Sequence, residues 1–145
     1  MAIGFAYEKL RVYRLATEFV TWASEVLDQV PTKLAVYDQL DRASISIALN
    51  IAEANSKLSA SDRCRFYDTS RGSALECAAC LDVLVAKNVS TMGAIISGKR
   101  KLQGIVKELL NGIASMLVGL IKNNEGQGFK ETELSYSSLA ASWNE

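Results

Sequence analysis

Histidine is missing from all 145 residues. Its absence excludes imidazole general bases, Ser-His-Asp triads and Cys-His dyads. It also excludes the Glu-x-x-His pairs with which four-helix bundles hold di-iron centres. Cysteine is scarce and odd in number, at three, which suits a reducing compartment better than a disulfide framework. Every apolar stretch is interrupted by Lys, Arg, Asp or Glu before reaching the roughly 18 residues of a membrane span. Met1-Ala-Ile-Gly-Phe-Ala lacks the basic start and long apolar run of a secretory signal, so a cytoplasmic location is expected. Strand-like alternation and repeats of 20 to 50 residues are also lacking. Gly98-Lys99-Arg100-Lys101 has a lysine but neither the spacing nor the preceding strand of a phosphate loop. Net charge is absent overall, with 16 basic and 16 acidic residues, far from the balance of a domain that neutralises many phosphates.

What is present is apolar content of 49%, enough for one self-sufficient core in a chain of this length. Charge is unevenly placed. Residues 1–123 carry 15 Lys/Arg against 12 Asp/Glu, whereas residues 124–145 carry one Lys against four Glu.

Apolar periodicity divides the chain into four helical segments. Val12, Leu15, Phe19, Trp22 and Val26 step by three and four within a helix from about Tyr7 to Val30, closed by Pro31, the only proline. A second segment runs from about Val36 to Lys57. Ser59-Ala-Ser61-Asp62 offers N-caps for a third, which reaches about Lys87, and Asn88, Ser90, Thr91 and Gly93 make the next turn. In the fourth, Leu102, Val106, Leu109, Ile113, Met116 and Leu120 step 4, 3, 4, 3, 4, as in a coiled-coil seam. Ile105, Leu110, Leu117 and Ile121 widen this stripe, which serves either a deep position in its own bundle or a contact between subunits. The expected fold is all-α, an antiparallel up-and-down four-helix bundle over residues 1–123. A polar, acidic C-terminal tail over 124–145 follows, with Gly126 and Gly128 breaking the last helix. Tyr136, Leu139 and Trp143 in this tail fall at i, i+3 and i+7, so the tail either docks on a neighbouring subunit or frays.

The second segment carries a polar stripe beside its apolar face. At 100° per residue Arg42 and Glu53 fall nearly on one line, with Ser46 and Asn50 close by and Ala43, Ile47, Ile51 and Ala54 adjoining. In the third, Gly72 costs about 1 kcal/mol relative to Ala in mid-helix, which suggests a close helix approach. Glu76 lies one turn beyond it. The expectation is a structural polar cluster of Arg42, Asn50, Glu53, Arg71 and Glu76 bolting the second helix to the third through carboxylate–guanidinium pairs. Paired carboxylates can also be catalytic, but nothing here supplies a general base tuned near neutrality.

Two other groups carry chemistry on paper. Cys77-Ala-Ala-Cys80 has metal-ligand spacing, but a second pair is missing and Cys64 lies some 220° around the same helix, so core or interface thiols are expected and no metal. Lys99, Arg100 and Lys101, with Lys107 two turns on, form the densest positive patch: a candidate nucleic-acid contact or a solvated helix face. Arg63 and Arg65 would extend it if packing allowed.

These residues together resemble the four-helix-bundle family named after proteins encoded in 23S ribosomal RNA intervening sequences. The family pattern has an aromatic-x-x-Leu-x-Val-aromatic start, then Arg-Ala-x-x-Ser-x-x-x-Asn-Ile-Ala-Glu-Gly, then Phe-x-x-x-Ala-x-Gly-Ser-x-x-Glu. Here it reads Tyr7-Glu-Lys-Leu10-Arg-Val12-Tyr13, then Arg42-Ala43, Ser46 and Asn50-Ile51-Ala52-Glu53-Ala54, then Phe66, Ser70, Gly72-Ser73 and Glu76. Ala54 stands for the family glycine and Ser70 for the alanine, both small for small. The resemblance implies a cytosolic bacterial protein that forms ring-shaped homo-oligomers, commonly pentamers. Related accessory proteins of diversity-generating retroelements bind nucleic acid and a reverse transcriptase through a basic surface. The expected function is thus a non-enzymatic homo-oligomeric scaffold or binding module, a pentamer by resemblance, with RNA or a nucleoprotein as candidate partner and no cofactor. The alternative is a purely protein-binding cytosolic assembly with no nucleic-acid role.

Overall fold

The computed structural model describes residues 4–87 and 100–128, apart from the side chains of 100–103, 105 and 127–128. Four α-helices make up its body: α1 (Arg11–Leu27), α2 (Ala35–Ser56), α3 (Ala60–Ala86) and α4 (Arg100–Gly128). A 3-10 turn, Ala6–Lys9, precedes them, and no strand occurs among the described residues. Helices consecutive in sequence pack on each other, and α4 closes back on α1. Cross-links fix the directions. Ser46 meets Ser73 while Ile47 meets Ser70, and Asp82 meets Lys107 while Arg63 meets Asn124, so both α2/α3 and α3/α4 are antiparallel. This is the up-and-down four-helix bundle that the periodicity predicts.

α1 is shorter than its periodicity suggests. Leu10 has extended backbone and is buried, and its N–H bonds to the Tyr7 carbonyl, which separates the 3-10 turn from α1. The Tyr7 ring meets Tyr13 edge-on at 4.9 Å across that break. At the other end α1 stops at Leu27, four residues before Pro31, because the turn bonds Gln29 to Val26 and Val30 to Leu27 take over. The cap of α3 falls where the sequence puts it: the Ser59 side chain accepts the Asp62 N–H at 3.1 Å.

Val12, Ala16, Phe19, Ala23 and Val26 of α1 face Leu40, Ile47 and Ile51 of α2 and Leu81 and Leu84 of α3 in one core. Leu15 and Trp22 pack at its margin. The seam of α4 is rotated from the expected one. Val106, Leu110, Ile113, Leu117 and Leu120 are buried, while Leu109, Met116 and Ile121 are half-buried against the same core. The apolar surplus of α4 thus widens its seat in its own bundle. α4 also continues past the expected end of the bundle at 123, through Asn124 and Gly126 to Gly128. Asn124 is fully buried and bonded to α3, so burial outweighs the glycines that follow it.

Candidate functional site

The polar stripe of α2 divides at the crossing with α3. Its inner part builds a directed hydrogen-bond chain. Asn50 donates its side-chain amide to the Ser46 carbonyl at 2.8 Å and to the Ser46 hydroxyl at 2.9 Å. The Ser46 and Ser73 hydroxyls are 2.7 Å apart, and Ser73 donates back to the Thr69 carbonyl at 3.1 Å. Each hydroxyl has one proton. Since Ser73 gives its own to Thr69, Ser46 must donate to Ser73, and every proton in the chain is used once. One turn away the Ser70 hydroxyl donates to the Ile47 carbonyl at 2.8 Å, fully buried. Small hydroxyls let the two helices meet with the side-chain donors of Ser46, Asn50, Ser70 and Ser73 each placed on an acceptor.

The outer part of the stripe does not join this chain, and the expected five-residue cluster is not assembled. Glu53 is exposed and pairs along its own helix with Lys57 at 2.8 Å. Arg71 turns back to Asp68, with both Nε and Nη2 on Oδ1 at 3.0 and 2.9 Å. Arg42 and Glu76 are exposed and form no ion pair among the described residues. Of the five, only Asn50 takes part in the crossing. The reason is angular: Ser46 and Asn50 point into the α2/α3 seam, whereas Arg42 and Glu53 stand farther round toward solvent. An i,i+3 or i,i+4 partner then costs less side-chain entropy than a reach across helices. Gly72 does not mark a close approach either, because it is exposed and a Cβ there would meet nothing within 4 Å.

Sequence reasoning missed the most demanding polar group. Arg63 is 4% exposed. Its Nε donates to Asn124 Oδ1 at 2.7 Å, and its Nη1 to the Leu58 and Lys57 carbonyls at 2.7 and 3.1 Å. Far from extending a basic patch, it stitches the end of α2 to α3 and α4. The available signal was its position one turn inside α3, on the helix line that Tyr67, Ser70 and Ala74 carry into the core. Phe66, nearby, has Lys57 and Arg65 on its ring at 5.0 and 4.9 Å.

The other candidates separate as follows. Cys77 and Cys80 lie in the core, and Cys64 donates to the Ile121 carbonyl at 3.6 Å. Burial pushes the Cys77 thiol up to about 12, aided by Cys80 and Glu76. Burial also raises Cys80 and Cys64, the latter with help from Glu125 and against Arg63. All three are therefore protonated at neutral pH, a poor state for a nucleophile or ligand. Lys107 pairs with Asp82 of α3 and so belongs to the bundle's side. Arg100 and Lys101 open α4, their side chains outside the description, and Lys99, Tyr136, Leu139 and Trp143 lie outside the described residues. No described helix is long and apolar enough to cross a membrane.

The fold and crossing define a four-helix bundle whose patterned hydroxyls and amide hold two helices together and whose patterned charges face outward. The family model of the 23S rRNA-intervening sequence protein matches residues 8–111. The chain belongs to that family. No curated protein and no solved structure matches it.

Proposed function

We propose that the chain is a non-enzymatic, homo-oligomeric binding module of the cytoplasm, a scaffold that presents its bundle surface to a macromolecular partner. The observation that supports this reading is the outward placement of Arg42, Glu53 and Glu76. The family pattern places charges at these positions, and the bundle does not use them inside. Charges that contribute nothing to the core are suited to recognition at a surface.

RNA or a nucleoprotein is the first candidate partner. Arg100 and Lys101 open α4, where the helix dipole is positive, so cation and dipole would attract phosphate together, and Lys99 precedes them in sequence. A protein-only partnership is the second, favoured by the pairing of Lys57, Arg65, Arg71 and Lys107 with nearby carboxylates, which leaves the described surface little net positive field.

Light scattering tests the assembly. A mass several times 15.8 kDa is expected, a pentamer giving five times that value, and a monomer at micromolar concentration overturns it. Titration with labelled structured RNA at two salt concentrations tests the partner. Salt-sensitive binding that weakens when Lys99, Arg100 and Lys101 become Ala supports RNA. Lack of binding at low salt, or indifference to those changes, leaves the protein-binding form.

A further inference from the structure

The α2/α3 layer has an outer surface that the bundle leaves unfinished. On α2, Ile45 and Leu49 are 42% and 63% exposed, one turn apart, and they form a ridge opposite the buried Ile47 and Ile51. On α3, Gly72, Leu75, Ala79 and Val83 follow one another at steps of three and four on the side facing away from the core. Leu75 and Val83 are 52% and 41% exposed, and Gly72 has open space where a side chain would be. α3 is thus apolar on two sides. One side fills the core, and the other is a stripe with shallow places at Gly72 and Ala79 and raised ones at Leu75 and Val83.

Charge identifies the occupant. Ser46 and Ser73 are bonded at the crossing, and one turn from each lie Arg42 and Glu76. The two charges therefore sit level on neighbouring helices, both exposed and both without an ion pair among the described residues. Glu53 and Asp68 on this face are matched by Lys57 and Arg71, so neither a polyanion nor a polycation finds a net field of opposite sign here. A ridge with a free cation on α2 and a stripe with a free anion on α3 are complementary to each other, so one copy can seat head-to-tail on the next, as a ring requires.

We propose that this face joins copies of the chain, with the Ile45/Leu49 ridge of one copy on the Gly72/Ala79 stripe of the next and Arg42 of one paired with Glu76 of the other. The proposal rests on the homo-oligomeric reading and locates the contact on α2 and α3, instead of on α4 or the C-terminal tail. Arg42, Leu49 and Glu76 are exposed, so their replacement leaves the core intact.

Sedimentation velocity at micromolar concentration, with helical circular dichroism as the check on folding, tests it in the full chain. Leu49→Glu, Arg42→Glu and Glu76→Arg should each weaken association at least tenfold and shift the protein toward 15.8 kDa. The double variant Arg42→Glu/Glu76→Arg should restore it, because the pair is exchanged and not removed. If the wild type assembles and the three single variants assemble equally well, this face is wrong while self-association stands. Single variants that dissociate without recovery in the double overturn the Arg42–Glu76 pairing. A wild-type monomer overturns the homo-oligomeric reading along with the face.

Discussion

Among single residues, Arg63 shows how a buried charge is accommodated. A guanidinium has five donors, and the bundle meets it with an amide oxygen and two main-chain carbonyls at a helix end. Those carbonyls follow α2, where intrahelical partners have run out. Arg63→Ala removes the donor from all three acceptors at once, and chemical denaturation should show a loss of about 3 kcal/mol. Arg65→Ala, two positions on and exposed, should stay within about 0.5 kcal/mol by the same measurement. Equal effects would show that Arg63 is dispensable to the corner. The sequence gives little warning of this role, since arginine inside a helix usually reaches solvent. Its partners also lie far off in the chain, with Asn124 61 positions away.

At the scale of elements, the caps, turns and spans were legible because they depend on local chemistry. Ser59 caps α3 through its own hydroxyl, and a three-residue turn forces α2 and α3 to be antiparallel neighbours. Less legible was which neighbour each charged residue would choose. Glu53 and Arg71 took partners one turn away, a choice that helical spacing permits but does not impose. The seam of α4 was displaced for a related reason: its apolar stripe is wide enough to hold two registers, and packing against α3 and α1 decides between them. Gly72 offers a direct test at this scale. Its side-chain space is open and it lies inside α3, so Gly72→Ala should stabilise the bundle by about 0.5–1 kcal/mol through reduced unfolded-state freedom. Thermal melts in the Leu49→Glu background measure this without a contribution from assembly. A loss of stability there would mean that the site is tighter than its surroundings show.

For the molecule as a whole, the buried thiol of Cys77 links stability to pH. Its ordinary value of 9.0 is raised to about 12 in the folded chain, so the fold holds the proton where the unfolded chain releases it. The stabilisation is complete below about 9 and disappears as pH rises toward about 12. Burial of Tyr67 acts in the same direction, opposed by the Asn55 side chain and the Arg63 charge. Urea titrations across this window should show stability falling with pH, and Cys77→Ala should flatten the slope. An unchanged slope in that variant would place the pH response elsewhere. The all-α bundle was readable from apolar periodicity, and the family from the resemblance of its motifs. The outward direction of Arg42, Glu53 and Glu76 was not, because orientation is set by how helices rotate against one another and not by residue type.

The corner that Arg63 completes also has an order in time. As the chain leaves the ribosome, α2, the short turn and α3 are all present well before α4. The carbonyls of Lys57 and Leu58 are available to the guanidinium at once, but the Asn124 oxygen is added only in the last described turn of the molecule. Until then Nε of Arg63 lacks that acceptor. The α2/α3 hairpin is thus born with one bond of its corner unmade, and that bond can close only after synthesis has passed Asn124, 61 positions beyond Arg63.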